Sequence, residues 1–370
     1  MIQSSQTDRQ TDRQTDRQTD RQTDRQTDRQ TDRQTDRNLS IDIAKGIGIS
    51  LMVIGHSSAP AEIHHFIYTF HMPLFFIIAG YLMNYEKWKD RFDAFIKKRI
   101  ERMILPYFFM SIFVFYPLWY IAVMGFSKYK THDIADPLMV FTDIFYATFV
   151  GDGMSFNSPL WFLPCLFVAE LLFFCVLSIS KNFYFRCAIV CAFAIIGYSV
   201  KWINLPWSID IALVVQVFLL FGYIIKKINF SRKYLIIFVP ILLFINDING
   251  IDISHRLYGN IFCCYIGGIV GTLSILIISN ILCDYMKMVM TWLAYLGKQS
   301  MAILMWHGWL LKIISMTMGY LLHISFDDTK KLYWCIIVSC AIGLSLLILM
   351  IKNKIQEKLT SPLLSKCISW

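Results

Sequence analysis

Three ionisable residues interrupt one apolar run near the start of the chain. Asp42, Lys45 and His56 all lie within Leu39 to Ser58. A charge inside a membrane-spanning helix costs a few kcal/mol, so such residues are functional candidates by default. At about 100° per residue, the eleven positions from Lys45 to His56 turn through about 1100°, within roughly 20° of three full turns. The two side chains therefore share a face, roughly 16 Å apart along the axis. Asp42, three residues before Lys45, is placed to pair with it. Gly46, Gly48 and Gly55 allow close approach by another helix or by a ligand. A neutral imidazole accepts a proton from a hydroxyl at pH 7, which gives His56 the chemistry of a general base. A covalent role for the same ring fits equally. The structural alternative is that Lys45 snorkels to one interface and His56 marks the other.

Other polar residues in apolar runs join this list. His71 falls in Phe70-His71-Met72-Pro73-Leu74-Phe75-Phe76, and Pro73 predicts a kink that frees a carbonyl nearby. The loop between the first two helices is short, so His71 is expected near His56, with His64 and His65 solvated on the loop. Ser300 and His307 lie on a later helix, His307 beside Trp306 and Trp309. For His307 a packed, hydrogen-bonded histidine is the competing reading. The chain has no His-Glu-x-x-His, phosphate-binding glycine loop or Gly-x-Ser-x-Gly elbow. Its ten Cys are scattered through apolar stretches without a Cys-x-x-Cys spacing, so no metal is expected.

Composition sets the frame for these residues. Of 370 residues 56% are hydrophobic, only 16% are charged, and mean hydropathy is +0.50. Apolar runs of about 20 residues recur nearly to the end, which predicts an all-α polytopic bundle of about ten membrane helices over 38–370. The expected spans are 39–58, 64–84, 104–124, 160–180, 185–202, 209–225, 234–245, 261–282, 296–320 and 332–351. Residues 86–105 are basic, with apolar residues at helical spacing, and predict a helix lying on the membrane surface. Lys and Arg concentrate at 87–102, 226–233 and 352–358. The positive-inside rule then puts both termini in the cytoplasm and the acidic loop 126–158 outside. The net charge of +9 reads as loop charge of this kind, not as a nucleic-acid surface.

Residues 7–34 are seven copies of Thr-Asp-Arg-Gln, followed by Thr-Asp-Arg at 35–37. Without an apolar residue the repeat cannot bury a core, so 1–37 is expected to be a disordered segment. It also lacks the apolar stretch of a signal peptide. The codons ACA-GAC-AGA-CAG spell this unit and are themselves three copies of the tetranucleotide ACAG. Slippage by one unit would shift the reading frame, so the tract has the form of a phase-variation switch.

Several stretches together resemble the acyltransferase type 3 family. They are Ile41-Asp42-Ile43-Ala44-Lys45-Gly46-Ile47-Gly48-Ile49 with Val53-Ile54-Gly55-His56; Phe70 to Phe76 with Ala79-Gly80-Tyr81; Pro159-Leu160-Trp161-Phe162-Leu163-Pro164; and Leu296-Gly297-Lys298-Gln299-Ser300-Met301 with His307. The branch looks like that of fucose 4-O-acetylase-like proteins. The resemblance covers about Asn38 to Ile351. It implies ten membrane helices, a multi-pass protein of the bacterial inner membrane, and acyl transfer. The donor is usually cytoplasmic acetyl-CoA and the acceptor a hydroxyl of an extracytoplasmic glycan such as lipopolysaccharide or another surface polysaccharide. The family's basic residue and histidine fall on Lys45 and His56. Many members carry Arg at the first position; Lys keeps the charge but loses the bidentate fork. The family's Arg-x-x-Arg falls on Arg99 and Arg102, which suit CoA phosphates. In this frame Lys45 positions the donor, His56 acts as base or acyl carrier, and His71 orients His56 or the acceptor. No hydrolase-like domain is expected after the membrane part. A transporter with a proton or substrate path remains the alternative.

Overall fold

The computed structural model describes residues 39–125, 136–149, 154, 156–228, 230–322 and 333–358. The Thr-Asp-Arg-Gln repeat, much of the expected loop 126–158 and the loop after residue 322 lie outside them. Among the described residues the architecture is all-α, and the sole β feature is an isolated antiparallel bridge between Asp252 and Leu257.

The first helix, α1, spans 39–55, and the His56 amide still bonds the Met52 carbonyl at 3.1 Å. The expected second span is two helices, α2 (Ala61–Tyr68) and α3 (His71–Leu82). Their break falls at Thr69 and Phe70, in the turn before Pro73. A proline has no amide proton and its ring crowds the carbonyl four residues back, here that of Thr69. The kink expected from Pro73 is thus present, and it sets His71 at the start of a new helix.

The basic stretch does not form a separate surface helix. After the single turn α4 (Tyr85–Trp88), α5 (Phe92–Arg99) runs through a π turn at Ile100–Ile104 into α6 (Leu105–Met110). A second π turn, Ser111–Phe115, leads into α7 (Tyr116–Gly125). Each π turn stands directly before an X-Pro pair, Leu105-Pro106 or Tyr116-Pro117. The Leu105 amide bonds Ile100 and the Tyr116 amide bonds Ser111, both one residue beyond the α spacing. The widened turns accommodate the prolines without breaking the rod. The apolar run Phe92–Val123 is therefore continuous, 32 residues long.

Further along come α8 (Pro137–Tyr146), α9 (Phe162–Ile179) and α10 (Phe183–Ser199). The next expected span is bent by 53° between α11 (Ile209–Val214) and α12 (Gln216–Ile224). Gln216, at the bend, is buried and donates from its amide to the carbonyls of Ala212 and Ala169. Then follow α13 (Leu235–Ile248), α14 (Ile261–Tyr285), α15 (Lys287–Lys298), α16 (Ser300–Leu322) and α17 (Tyr333–Lys358).

Six of these helices or continuous runs are long and apolar enough to cross a membrane, or seven with the bent pair as one span. The others expected to span are present but shorter, as with α10 at 17 residues and α13 at 14. At 1.5 Å per residue, α13 covers only about 21 Å of a hydrocarbon core about 30 Å thick. Large apolar side chains point outward over the bundle, among them Phe113, Ile121 and Ile236. Such a surface suits lipid and not water.

Two helix crossings depend on glycine. A Cβ on Gly80 would strike the Leu219 carbonyl, and one on Gly222 the Ile77 carbonyl, so α3 and α12 meet backbone to backbone. The same holds for α1 and α15, where Gly46 faces the Leu293 carbonyl and Gly297 faces that of Asp42. This second crossing ties the start of α1 to the helix leading into α16.

Candidate active site

The bundle has two chemically different ends. At the first, Ser40 donates to Asn280 at 2.6 Å, Lys226 meets the Met83 carbonyl, and Arg232 pairs with Asp284. These contacts gather the start of α1, the end of α3, the basic link 226–233 and the end of α14. The basic helix α5 joins them through Phe95 and Phe92, whose rings stack on Phe174. At the other end lie the residues after α1, the α2–α3 break and the 249–260 loop. Two segments are locked there by Arg256, which pairs with buried Asp210 at 2.7 Å. It also donates to the Phe149 carbonyl and to Thr148.

Lys45 and Asp42 stand toward the basic end and pair at 2.8 Å, as their spacing predicted. Both side chains are only partly exposed. Because α1 is unbroken, His56 sits three turns further along at the opposite end.

His56 is exposed where α1 ends. Its ring centre lies 5.3 Å from that of His307, at a 44° tilt. His307 is fully buried, and its Nδ1 lies 3.0 Å from the Ile303 carbonyl and 2.9 Å from that of Leu304. A carbonyl can only accept, so Nδ1 donates and the neutral ring keeps its lone pair on Nε2. That Nε2 is buried and has no hydrogen-bond partner.

His71 is held in the same tautomer, with Nδ1 on the Ile67 carbonyl at 2.9 Å. Its ring meets Tyr68 edge-on at 4.9 Å, and the Tyr68 hydroxyl donates to the Gly55 carbonyl at 2.9 Å. His71 thus reaches the His56 region through Tyr68. Ser300 begins α16 about two turns below His307, roughly 10 Å along the axis. His64 and His65 are half-buried on α2, not solvated. Trp306 and Trp309 pack on Phe115.

The Arg-x-x-Arg pair is divided. Arg102 is exposed, whereas Arg99 reaches inward to Glu170 of α9, Nε to Oε2 at 2.5 Å. Burial raises the cost of charging Glu170, and the guanidinium compensates it. Sequence reading missed Glu170, although a carboxylate in the apolar run 160–180 is the signal already used for Lys45. It also missed Tyr68 and the Arg256–Asp210 pair. Among the described residues, no three His, Cys, Asp or Glu side chains cluster closely enough to hold a metal ion.

A multi-pass apolar bundle with a basic end, an ion-paired lysine toward that end and an accessible histidine at the far end defines an integral membrane protein with polar residues along its first helix. Residues 38–351 match the family described as an acyltransferase domain, and the chain belongs to that acyltransferase type 3 family. A stretch of 83 residues is 37% identical to Nodulation protein NolL of Mesorhizobium japonicum, covering 20% of this chain and 22% of that protein. The similarity thus spans about a fifth of the relative's length. No solved structure matches the chain.

Proposed function

We propose that this protein is an O-acetyltransferase of the bacterial inner membrane. It spans the bilayer ten times, with both termini in the cytoplasm, and moves acetyl from cytoplasmic acetyl-CoA to a hydroxyl of an extracytoplasmic glycan. The observation that carries this reading is the accessible ring of His56 at the end of the bundle opposite the basic segments. CoA phosphates dock on Arg102 and its exposed neighbours Lys97 and Lys98, with Arg99 shared between phosphate and Glu170. The pantetheine arm follows α1 past Lys45, which exchanges part of its contact with Asp42 for an amide carbonyl of the arm and leaves the thioester to reach His56.

At the far end His56 takes the proton from the acceptor hydroxyl. The hydroxyl oxygen forms a bond to the acetyl carbonyl carbon, the carbon–sulfur bond breaks, and the CoA thiolate receives the proton from His56. Atoms and charge balance without a third reactant. His71, with Tyr68, shapes the wall against which the acceptor rests. The Thr-Asp-Arg-Gln tract makes expression subject to phase variation through its DNA.

A transporter is the second reading, and the 53° bend between α11 and α12 is the feature that favours it, since broken helices build many transport sites. Membranes given acetyl-labelled acetyl-CoA separate the two. An acetyltransferase puts label on surface glycan in an ester that mild alkali removes, whereas a transporter leaves the glycan unlabelled.

A further inference from the structure

The general-base reading leaves one question open, which is what fixes the direction of the His56 lone pair. Imidazole has two nitrogens, and a base works only if the bare one faces the hydroxyl. Among the described residues His56 has no hydrogen bond to either ring nitrogen, so its own helix does not choose the tautomer.

His71 is a poor candidate for that task. Its Nδ1 is engaged by Ile67, and its ring is turned to Tyr68. His307 differs in three respects. It lies 5.3 Å from His56 between ring centres. Its proton is pinned on Nδ1 by two carbonyls of its own helix. Its Nε2 is a buried acceptor without a partner, and a buried unsatisfied acceptor carries a desolvation cost of about 1–3 kcal/mol that a donor would remove. An N–H···N bond between two imidazoles puts their centres about 5 Å apart, allowing for the ring radii. At 5.3 Å between centres the two helices are already close enough for such a bond once the His56 side chain turns a ring nitrogen toward His307 Nε2.

We propose that His307 is the positioning partner of His56. Its Nε2 accepts a hydrogen bond from the His56 imidazole N–H, which leaves the other His56 nitrogen bare and facing the acceptor hydroxyl. When His56 takes up the proton, the same bond strengthens because its donor becomes charged. His307 itself touches neither donor nor acceptor. The α1–α15 crossing at Gly46 and Gly297 sets the height of α16 against α1 and so holds the two rings level. The inference rests on the acetyltransferase reading above.

Two substitutions separate the proposed bond from packing. In His307→Asn the side-chain amide can still donate to the Ile303 and Leu304 carbonyls, but nothing reaches His56. In His307→Gln the longer side chain presents an acceptor near the place of Nε2. Membranes are given [14C]acetyl-CoA and glycan extracted from the producing cells, and kcat and KM for acetyl-CoA are measured beside wild type and His56→Ala. The expected result is a kcat loss of about tenfold or more in Asn, with KM within about twofold, and recovery to within about threefold of wild type in Gln. Wild-type kcat in Asn, or equal losses in Asn and Gln, would overturn the pairing. If His56→Ala stays active, or wild type transfers no label, the underlying reading fails and the pairing falls with it. If His56→Ala is inactive while His307→Asn is normal, the pairing alone is wrong.

Discussion

The rings of His56 and His307 lie 5.3 Å apart, although one closes the first helix of the bundle and the other belongs to its penultimate described helix. In the proposed reaction that closeness sets the base and its partner together at the far end of α1. For His56→Ala we expect a loss of acetyl transfer of about 10² or more, the range removed with a general base, while the protein still inserts at wild-type level. Quantitative blotting of membranes beside the transfer assay checks both halves.

The donor end yields a separate expectation. Arg102 is exposed on α5's continuation, so Arg102→Ala should raise KM for acetyl-CoA about tenfold, equivalent to about 1.4 kcal/mol, with kcat little changed. A kcat defect at unchanged KM would place Arg102 elsewhere in the cycle. Steady-state kinetics at varied acetyl-CoA decides between them.

Glu170 and Arg99 form a largely buried pair, and removing one member leaves the other charge uncompensated. Glu170→Leu is expected to destabilise the bundle by about 3 kcal/mol, less where water reaches the exposed part of Arg99. Arg99→Met in the same chain should restore much of that loss, because both charges are then gone. Thermal unfolding in detergent by intrinsic fluorescence reads the single and double variants.

Much of the site was legible in the sequence because it is local. The Asp42–Lys45 pair follows from a three-residue spacing, and the kink before Pro73 follows from a missing amide proton. The basic stretch 86–105 is expected to form a separate surface helix from its charges and apolar spacing, but the π turn at Ile100–Ile104 lets α5 continue past Pro106 into one rod. His307 was visible as a polar residue in an apolar helix, but its partner was not, since no spacing rule joins residues on distant helices. The pairing of Arg256 with Asp210 was hidden for the same reason, since one lies in the 249–260 loop and the other in the first turn of α11.

The α1–α15 crossing offers a test of positioning at a distance. In Gly297→Ala the new Cβ meets the Asp42 carbonyl, so the helices must separate. Overpacking of this kind costs about 1–3 kcal/mol, and the displacement should lower kcat several-fold although Gly297 is about ten residues from His307. Gly343→Ala, where a Cβ meets nothing within 4 Å, is the control and should leave kcat unchanged.

The most direct test of the central claim is transfer of label from [14C]acetyl-CoA to surface glycan by membranes holding wild type or His56→Ala. The account predicts alkali-labile label on the glycan with wild type and near-background label with His56→Ala at equal protein. Equal label with both proteins would contradict it.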